Sequence, residues 1–109
     1  MGRSEAMRLS VLSLAKSYLK EIHLRLSEYG EAPTKKFRES FEKFCAQVVD
    51  MPYIFSQCEY NPSYRRAVII YDYLVFYKVD ESKSKSKGKV MVYRVLHGKR
   101  NIEPLLERM

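Results

Sequence analysis

YDYLVFYKVDESKSKSKGKVMVYRVLHGKRN, residues 71–101, is the stretch on which the fold turns. Two runs, Tyr73–Asp80 and Lys89–His97, alternate with a period of two and are rich in Val, Tyr and Phe, the residues that suit a pleated surface. Between them ESKSKSKG holds no apolar side chain and its lysines repel one another, which predicts a mobile hairpin loop over residues 81–88. Residues 65–71 are a third run of the same composition, so the three are expected to form an antiparallel meander. On this reading Leu74 and Phe76 share one face with Val90, Val92 and Leu96. The opposite face carries Tyr73, Val75, Tyr77, Met91, Tyr93 and Val95, too apolar to stand bare in water, and a binding partner is expected to cover it.

Working toward the N-terminus, residues 53–64 show no sustained period, and Asn61-Pro62 marks a turn, so an irregular connection is expected there. Residues 7–12 alternate Met7, Leu9 and Val11 against Arg8 and Ser10, the pattern of a short half-buried strand. Ser13 can cap a helix whose stripe is Ala15, Tyr18, Leu19, Ile22, Leu26 and Tyr29, with Gly30 as its stop. A second helix, starting at Pro33, continues through Phe37, Phe41, Phe44, Cys45 and Val48 until Pro52. Two amphipathic helices so closely joined form an antiparallel hairpin, and the sheet is the surface both can cover. After the last strand, Asn101 as a cap with Ile102, Leu105, Leu106 and Met109 at helical spacing predicts a short final helical segment. The expected class is α+β: a short N-terminal strand, a helical hairpin on a small, mainly antiparallel sheet, and a helical C-terminal segment. The 109 residues suit one domain, residues 1–6 being flexible.

A hydrophobic content of 46%, with nine tyrosines and five phenylalanines, is enough for one small core. A formal charge of +7 points to an anionic partner: nucleic acid, ribosome, membrane surface or an acidic protein. Cys45 and Cys58 lie far from any Cys/His ligand spacing, which argues for a reducing cytosol and against structural zinc. No run approaches the ~20 apolar residues of a membrane span. The first residues lack a secretory apolar core, and Ala6 breaks the myristoylation pattern. A cytoplasmic protein without membrane association, cofactor or metal is expected.

The HGKRN stretch reads first as a turn between a strand and a helix, because Gly98 supplies permissive backbone and Asn101 opens the next element. One histidine without a positioned partner is weak support for acid or base work, and His23 on the first helix is weaker. Asp80 and Glu81, at the loop mouth, read as solvated carboxylates. Arg65, Arg66, Arg94, His97, Lys99 and Arg100 either converge at one sheet edge as a cationic site for phosphate or carboxylate, or stand as six separate solvated side chains. Tyr73 and Tyr77 can stack bases, though packing is the commoner use of such residues. The phosphate-binding loop, dinucleotide fingerprint, zinc-protease and serine-hydrolase motifs are all absent from the sequence.

The order of parts, with Tyr64-Arg65-Arg66 entering the sheet, Tyr73-Leu74-Val75-Phe76-Tyr77 with Val79-Asp80, and Arg94-Val95-Leu96-His97-Gly98 followed by Arg100, resembles the RelE/ParE superfamily of bacterial type II toxins. The resemblance runs from Met7 almost to the end and departs mainly at the lengthened lysine spacer. It implies a domain harmful when free and neutralised by a cognate acidic antitoxin that wraps it in an oligomeric complex, with Tyr73, Tyr77 and Tyr93 on the covered face. RelE-like members cut messenger RNA on the ribosome, and ParE-like members inhibit DNA gyrase. Cutting RNA needs a base for the 2′-hydroxyl, an acid for the leaving oxygen and cations for the phosphate, for which His97, Arg94, Arg65 and Arg66 are the candidates. The ribonuclease branches rely on a late basic and aromatic or histidine cluster, whereas this chain ends in LLERM. The ParE-type pattern is therefore the closer one, with Arg65, Arg66, Arg94, Lys99 and Arg100 as target-binding residues, and a ribosome-dependent ribonuclease is the alternative. A plain basic nucleic-acid-binding domain would explain the charge but not the second apolar face.

Overall fold

The chain order in the computed structural model, which describes residues 7–81 and 88–99, is β1 (Arg8–Val11), α1 (Ser13–Ser27), α2 (Glu31–Asp50), β2 (Arg65–Ile69), β3 (Tyr73–Asp80) and β4 (Lys89–His97). The expected C-terminal helical segment, the N-terminal six residues, Arg100 and the centre of the lysine spacer lie outside the described residues.

Leu12, in extended conformation, precedes α1 and makes no side-chain cap, so Ser13 is the first helical residue rather than the cap. Tyr29 falls beyond the end of α1 and is 76% exposed, off the stripe expected of it. Gly30 has φ 110 and ψ −179, a region that is essentially closed to any residue with a Cβ. That single residue reverses the chain, and α2 begins at once with Glu31, whose carboxylate suits the positive end of the helix dipole. Pro33 therefore sits inside the first turn, where a missing N–H costs nothing. From α2 the side chains of Phe37, Phe44 and Val48 are buried.

Four strands form one sheet in the order β1-β4-β3-β2. β2, β3 and β4 are the expected meander, while β1 pairs parallel with β4, from Arg8 beside Lys89 to Val11 beside Val92, so the sheet is mixed. One irregularity changes the reading of the strands. Phe76 pairs with Arg94 and Tyr77 with Val92, which leaves Tyr93 as an extra residue in β4. Such a bulge interrupts the alternation of faces, so Val90, Val92 and Val95 all join one cluster although 92 and 95 differ in parity. Arg94 pairs with Phe76 and Leu96 with Leu74, placing both on the other face.

The helices, expected to lie against Leu74, Phe76, Val90, Val92 and Leu96, cover Val90 and Val92 of that set, while Leu74, Phe76 and Leu96 are on the other face. Tyr73, Val75 and Tyr77 pack with Phe37, Phe44 and Val48 of α2 and Ala15 and Ile22 of α1. Tyr77 is fully buried, edge-on to Phe44 at 5.7 Å and Phe55 at 6.4 Å, and its hydroxyl donates to Pro52 O at 2.8 Å. Leu74, Phe76 and Leu96 form a second cluster on the other face with Cys58 and Tyr64. Both of those come from the irregular connection, which is pinned by Cys58 N–H donating to Tyr64 O at 2.7 Å and by a bridge between Gln57 and Arg65. Tyr73 and Tyr77 are thus packed under the protein's own helices, which removes them from the surface proposed for a partner.

Burial pushes the Tyr77 phenol up to about 12, and burial followed by the Glu42 carboxylate pushes the Cys45 thiol up to about 11. Both groups hold their protons more tightly folded than unfolded. Their contribution is complete below the ordinary values and is lost as pH rises through the raised ones. Urea midpoints should therefore fall between roughly pH 9 and pH 12. Tyr77→Phe should flatten the fall above about pH 10; an unchanged slope would assign the alkaline loss to other groups.

Candidate functional site

The side chains of β4 divide the candidate cations between two faces. Arg66 and Arg94, each paired with Phe76, lie on the face away from the helical hairpin. Lys78 follows Phe76 on that face, its ammonium 4.7 Å from the Tyr64 ring centre and 5.5 Å from that of Tyr93. Tyr64 and Tyr93 meet edge to face at 5.1 Å, so the cation rests on an aromatic pair that holds it by its negative ring faces. Arg94 donates through Nη1 to Tyr18 Oη at 3.0 Å with its guanidinium 5.9 Å from that ring, and among the described residues its buried Nε has no hydrogen-bond partner. Lys78 was not singled out from the sequence. Its two-residue step from Phe76 was legible, but a lysine before Asp80-Glu81 reads as the polar end of a strand.

Arg65 is on the helix side, paired with Tyr77, where its Nη1 donates to Phe55 O at 2.7 Å and its guanidinium lies 4.9 Å from the Tyr53 ring centre. This anchors the connection to the sheet. His97 pairs with Tyr73, stands edge-on to it at 5.0 Å, and accepts the Lys99 backbone N–H on Nδ1 at 3.1 Å. Arg66 and Lys99 border a cavity of about 370 Å³ with Asp72, and Lys99 also borders a larger one with His97. Of the two arrangements open to the candidate cations, convergence at one edge or separate side chains, the described residues take an intermediate one: Arg66, Lys78 and Arg94 leave one face, Arg65 the other, and Lys99 at the strand end borders one cavity with Arg66 and another with His97. Strand alternation across the bulge imposes that separation.

The consequence for chemistry is direct. By strand register Arg66 and Arg94 leave the sheet on the face opposite His97, while the Arg94 guanidinium reaches Tyr18 of α1, which lines the same groove as His97; His97 already commits one ring nitrogen to the backbone. Strand register thus divides the four ribonuclease candidates, with Arg65 and His97 on the helix side and Arg66 and Arg94 on the other. Among the described residues no group of three or more His, Cys, Asp or Glu side chains is placed to hold a metal ion, and no helix is long and apolar enough to cross a membrane. What remains is a cationic and aromatic sheet face suited to binding.

A helical hairpin over a small mixed sheet, one face of which carries Arg66, Lys78 and Arg94, defines a small α+β domain. A family model, that of the ParE toxin of the type II toxin-antitoxin system parDE, matches residues 9–102, and the chain belongs to this family of type II toxins. Among solved structures it is similar to a chain of the chromosomal ParDE TA system from P. aeruginosa, with a TM-score of 0.65 and 14% identity over 86% of this chain and 98% of that one. That likeness concerns the fold. No curated protein matches the chain.

Proposed function

We propose that this toxin stops growth when free by poisoning DNA gyrase in the cytoplasm, and that a cognate acidic antitoxin neutralises it in an oligomeric complex. Family membership supports a toxin and an antitoxin partner. The choice of target rests on one observation: His97 is on the helix side of β4, and Arg66 and Arg94 are on the other. A gyrase poison needs a binding surface and no proton transfer, so it tolerates this separation. The second reading, ribosome-dependent cleavage of messenger RNA, has in its favour the Arg66, Lys78 and Arg94 face, where a phosphate backbone would find cations beside aromatic rings.

Induction in growing cells separates the two. A prompt fall in thymidine incorporation, with methionine incorporation and message integrity lagging behind, is the expected result. His97→Gln should retain toxicity within roughly twofold, because removing a general acid or base typically costs a hundredfold or more. Rapid codon-phased message cleavage abolished by His97→Gln would establish the ribonuclease instead.

A further inference from the structure

β4 runs on past its edge partner. β1 pairs with it only as far as Val11 beside Val92, and after Leu12 N–H donates to Val92 O at 3.0 Å the chain turns into α1. An open groove of about 750 Å³ lies beyond, between α1 and the last residues of β4. Tyr18, Glu21 and Arg25, at steps of three and four residues on one side of α1, form one wall, which Tyr29 extends just past the helix end. The other wall is His97 and Lys99 at the end of β4, with Tyr71 from the turn before β3.

This lining is aromatic and polar: four tyrosines and an imidazole, two cations and one carboxylate. Tyr29 and Tyr71 are 76% and 39% exposed, so their rings are open to a planar guest. His97 accepts the Lys99 N–H on Nδ1, which leaves the proton of the neutral ring on Nε2 as a donor. Tyr71 has φ 60 and Asp72 beside it φ 62, left-handed backbone in which a bulky aromatic is strained. The turn is fastened at both ends, by Ile70 N–H donating to Ser40 Oγ at 3.1 Å and by Gly98 N–H donating to Asp72 O at 2.8 Å. A strained tyrosine held at the rim of a groove points to a binding role.

We propose that this groove binds a nucleoside phosphate, with the base against Tyr71 and Tyr29, the phosphate against Arg25 and Lys99, and N–H groups of the base donating to Glu21. Each part of the lining selects one part of that guest. Tyrosine faces take a flat base by stacking. The guanidinium fork and the ammonium take phosphate oxygens. Glu21 repels a phosphate placed beside it but accepts donors, so it orients the guest and discriminates among bases. Guanine offers a carboxylate two adjacent N–H groups, at N1 and N2, whereas uracil and thymine offer one. The volume falls in the range of small-molecule sites. A free nucleotide and a nucleotide within a single strand share this chemistry. The inference goes beyond the gyrase reading and does not depend on it.

Isothermal titration calorimetry of the full chain tests it with GTP and, for the strand-borne form, an oligothymidylate carrying one central deoxyguanosine. One or both should bind; GTP alone would identify a free ligand, and the oligonucleotide alone a strand. Each should bind roughly tenfold more tightly than its counterpart without guanine, UTP or plain oligothymidylate, and Glu21→Gln should remove that preference. Arg25→Gln combined with Lys99→Gln should weaken binding roughly tenfold, while Lys35→Gln on the exposed side of α2 changes little. Tyr71→Asn, better suited to φ 60, should melt no lower than the parent protein yet bind roughly tenfold more weakly, a pair of results that a tyrosine kept only for the fold would not give. Absence of binding by both probes would overturn the proposal. So would equal losses from Lys35→Gln and the Arg25, Lys99 double variant, a guanine preference that survives Glu21→Gln, or unchanged binding by Tyr71→Asn. Growth arrest by the unaltered protein is read separately, so the toxin reading can stand while the groove proposal falls.

Discussion

Tyr77→Asp is expected to leave the protein unfolded at neutral pH. The ring is completely buried among Phe44, Phe55 and the rest of the helix-side cluster, and its hydroxyl is satisfied by Pro52 O at 2.8 Å. Aspartate would remove most of that volume and bring a carboxyl group without a partner into its place. Cavity and desolvation terms together cost on the order of 5 kcal/mol or more. A small domain is stable by only about 5–15 kcal/mol, so the far-UV circular dichroism of the variant should be that of an unfolded chain. Tyr77→Phe, which loses the hydroxyl alone, should cost about 1 kcal/mol, and Lys20→Asp on the exposed side of α1 should be neutral. A folded Tyr77→Asp with weakened partner binding would restore the expectation that this tyrosine faces a partner.

The second large effect is placed in α2. Phe44 is 2% exposed and meets Phe41 at 5.9 Å, Phe55 at 5.7 Å and Tyr77 at 5.7 Å between ring centres. Phe44→Ala should cost about 3–5 kcal/mol in urea unfolding, because the surrounding rings come from the sheet, the connection and the helix itself and cannot all close on the cavity. Phe41, three residues earlier, is only half-buried, and Phe41→Ala should cost less than half as much. Equal costs would mean that α2 is rotated about its axis from the orientation described. Only the helical spacing of both phenylalanines is legible in sequence; which of them lies at the centre of the stripe depends on where the sheet stands.

Much of the architecture follows from local patterns. Tyr73–Asp80 and Lys89–His97 are strands with the expected ends, because each alternates between turn-forming or polar flanks. α2 ends at Asp50, two residues before Pro52, whose ring is incompatible with continuation. The start of α2 was less legible. Pro33 is a good first-turn residue, but Gly30 at φ 110 lets the helix begin earlier, and the sequence shows only that a glycine is present. The candidate cations were individually visible, yet their grouping was not. Arg65 and Arg66 are adjacent in sequence and therefore on opposite faces of β2, while Lys78 and Arg94 share a face across two strands.

By itself the sequence determined a basic α+β chain of a short strand, two helices and a three-stranded meander, with the order of parts that led to the toxin family. Tertiary structure alone decided which sheet face the helices cover. Both faces of β3 are apolar, with Tyr73, Val75 and Tyr77 on one and Leu74 and Phe76 on the other, so a period of two separates the faces without ranking them. The choice follows from chain path. β1 and β2 stand at opposite edges, each running parallel to β4, and the hand of the helical crossover between them selects one face. The bulge at Tyr93 is likewise a property of paired strands: the extra residue exists only relative to the partner opposite it, and it alone brings Val95 onto the face of Val92 and sends Arg94 to the other.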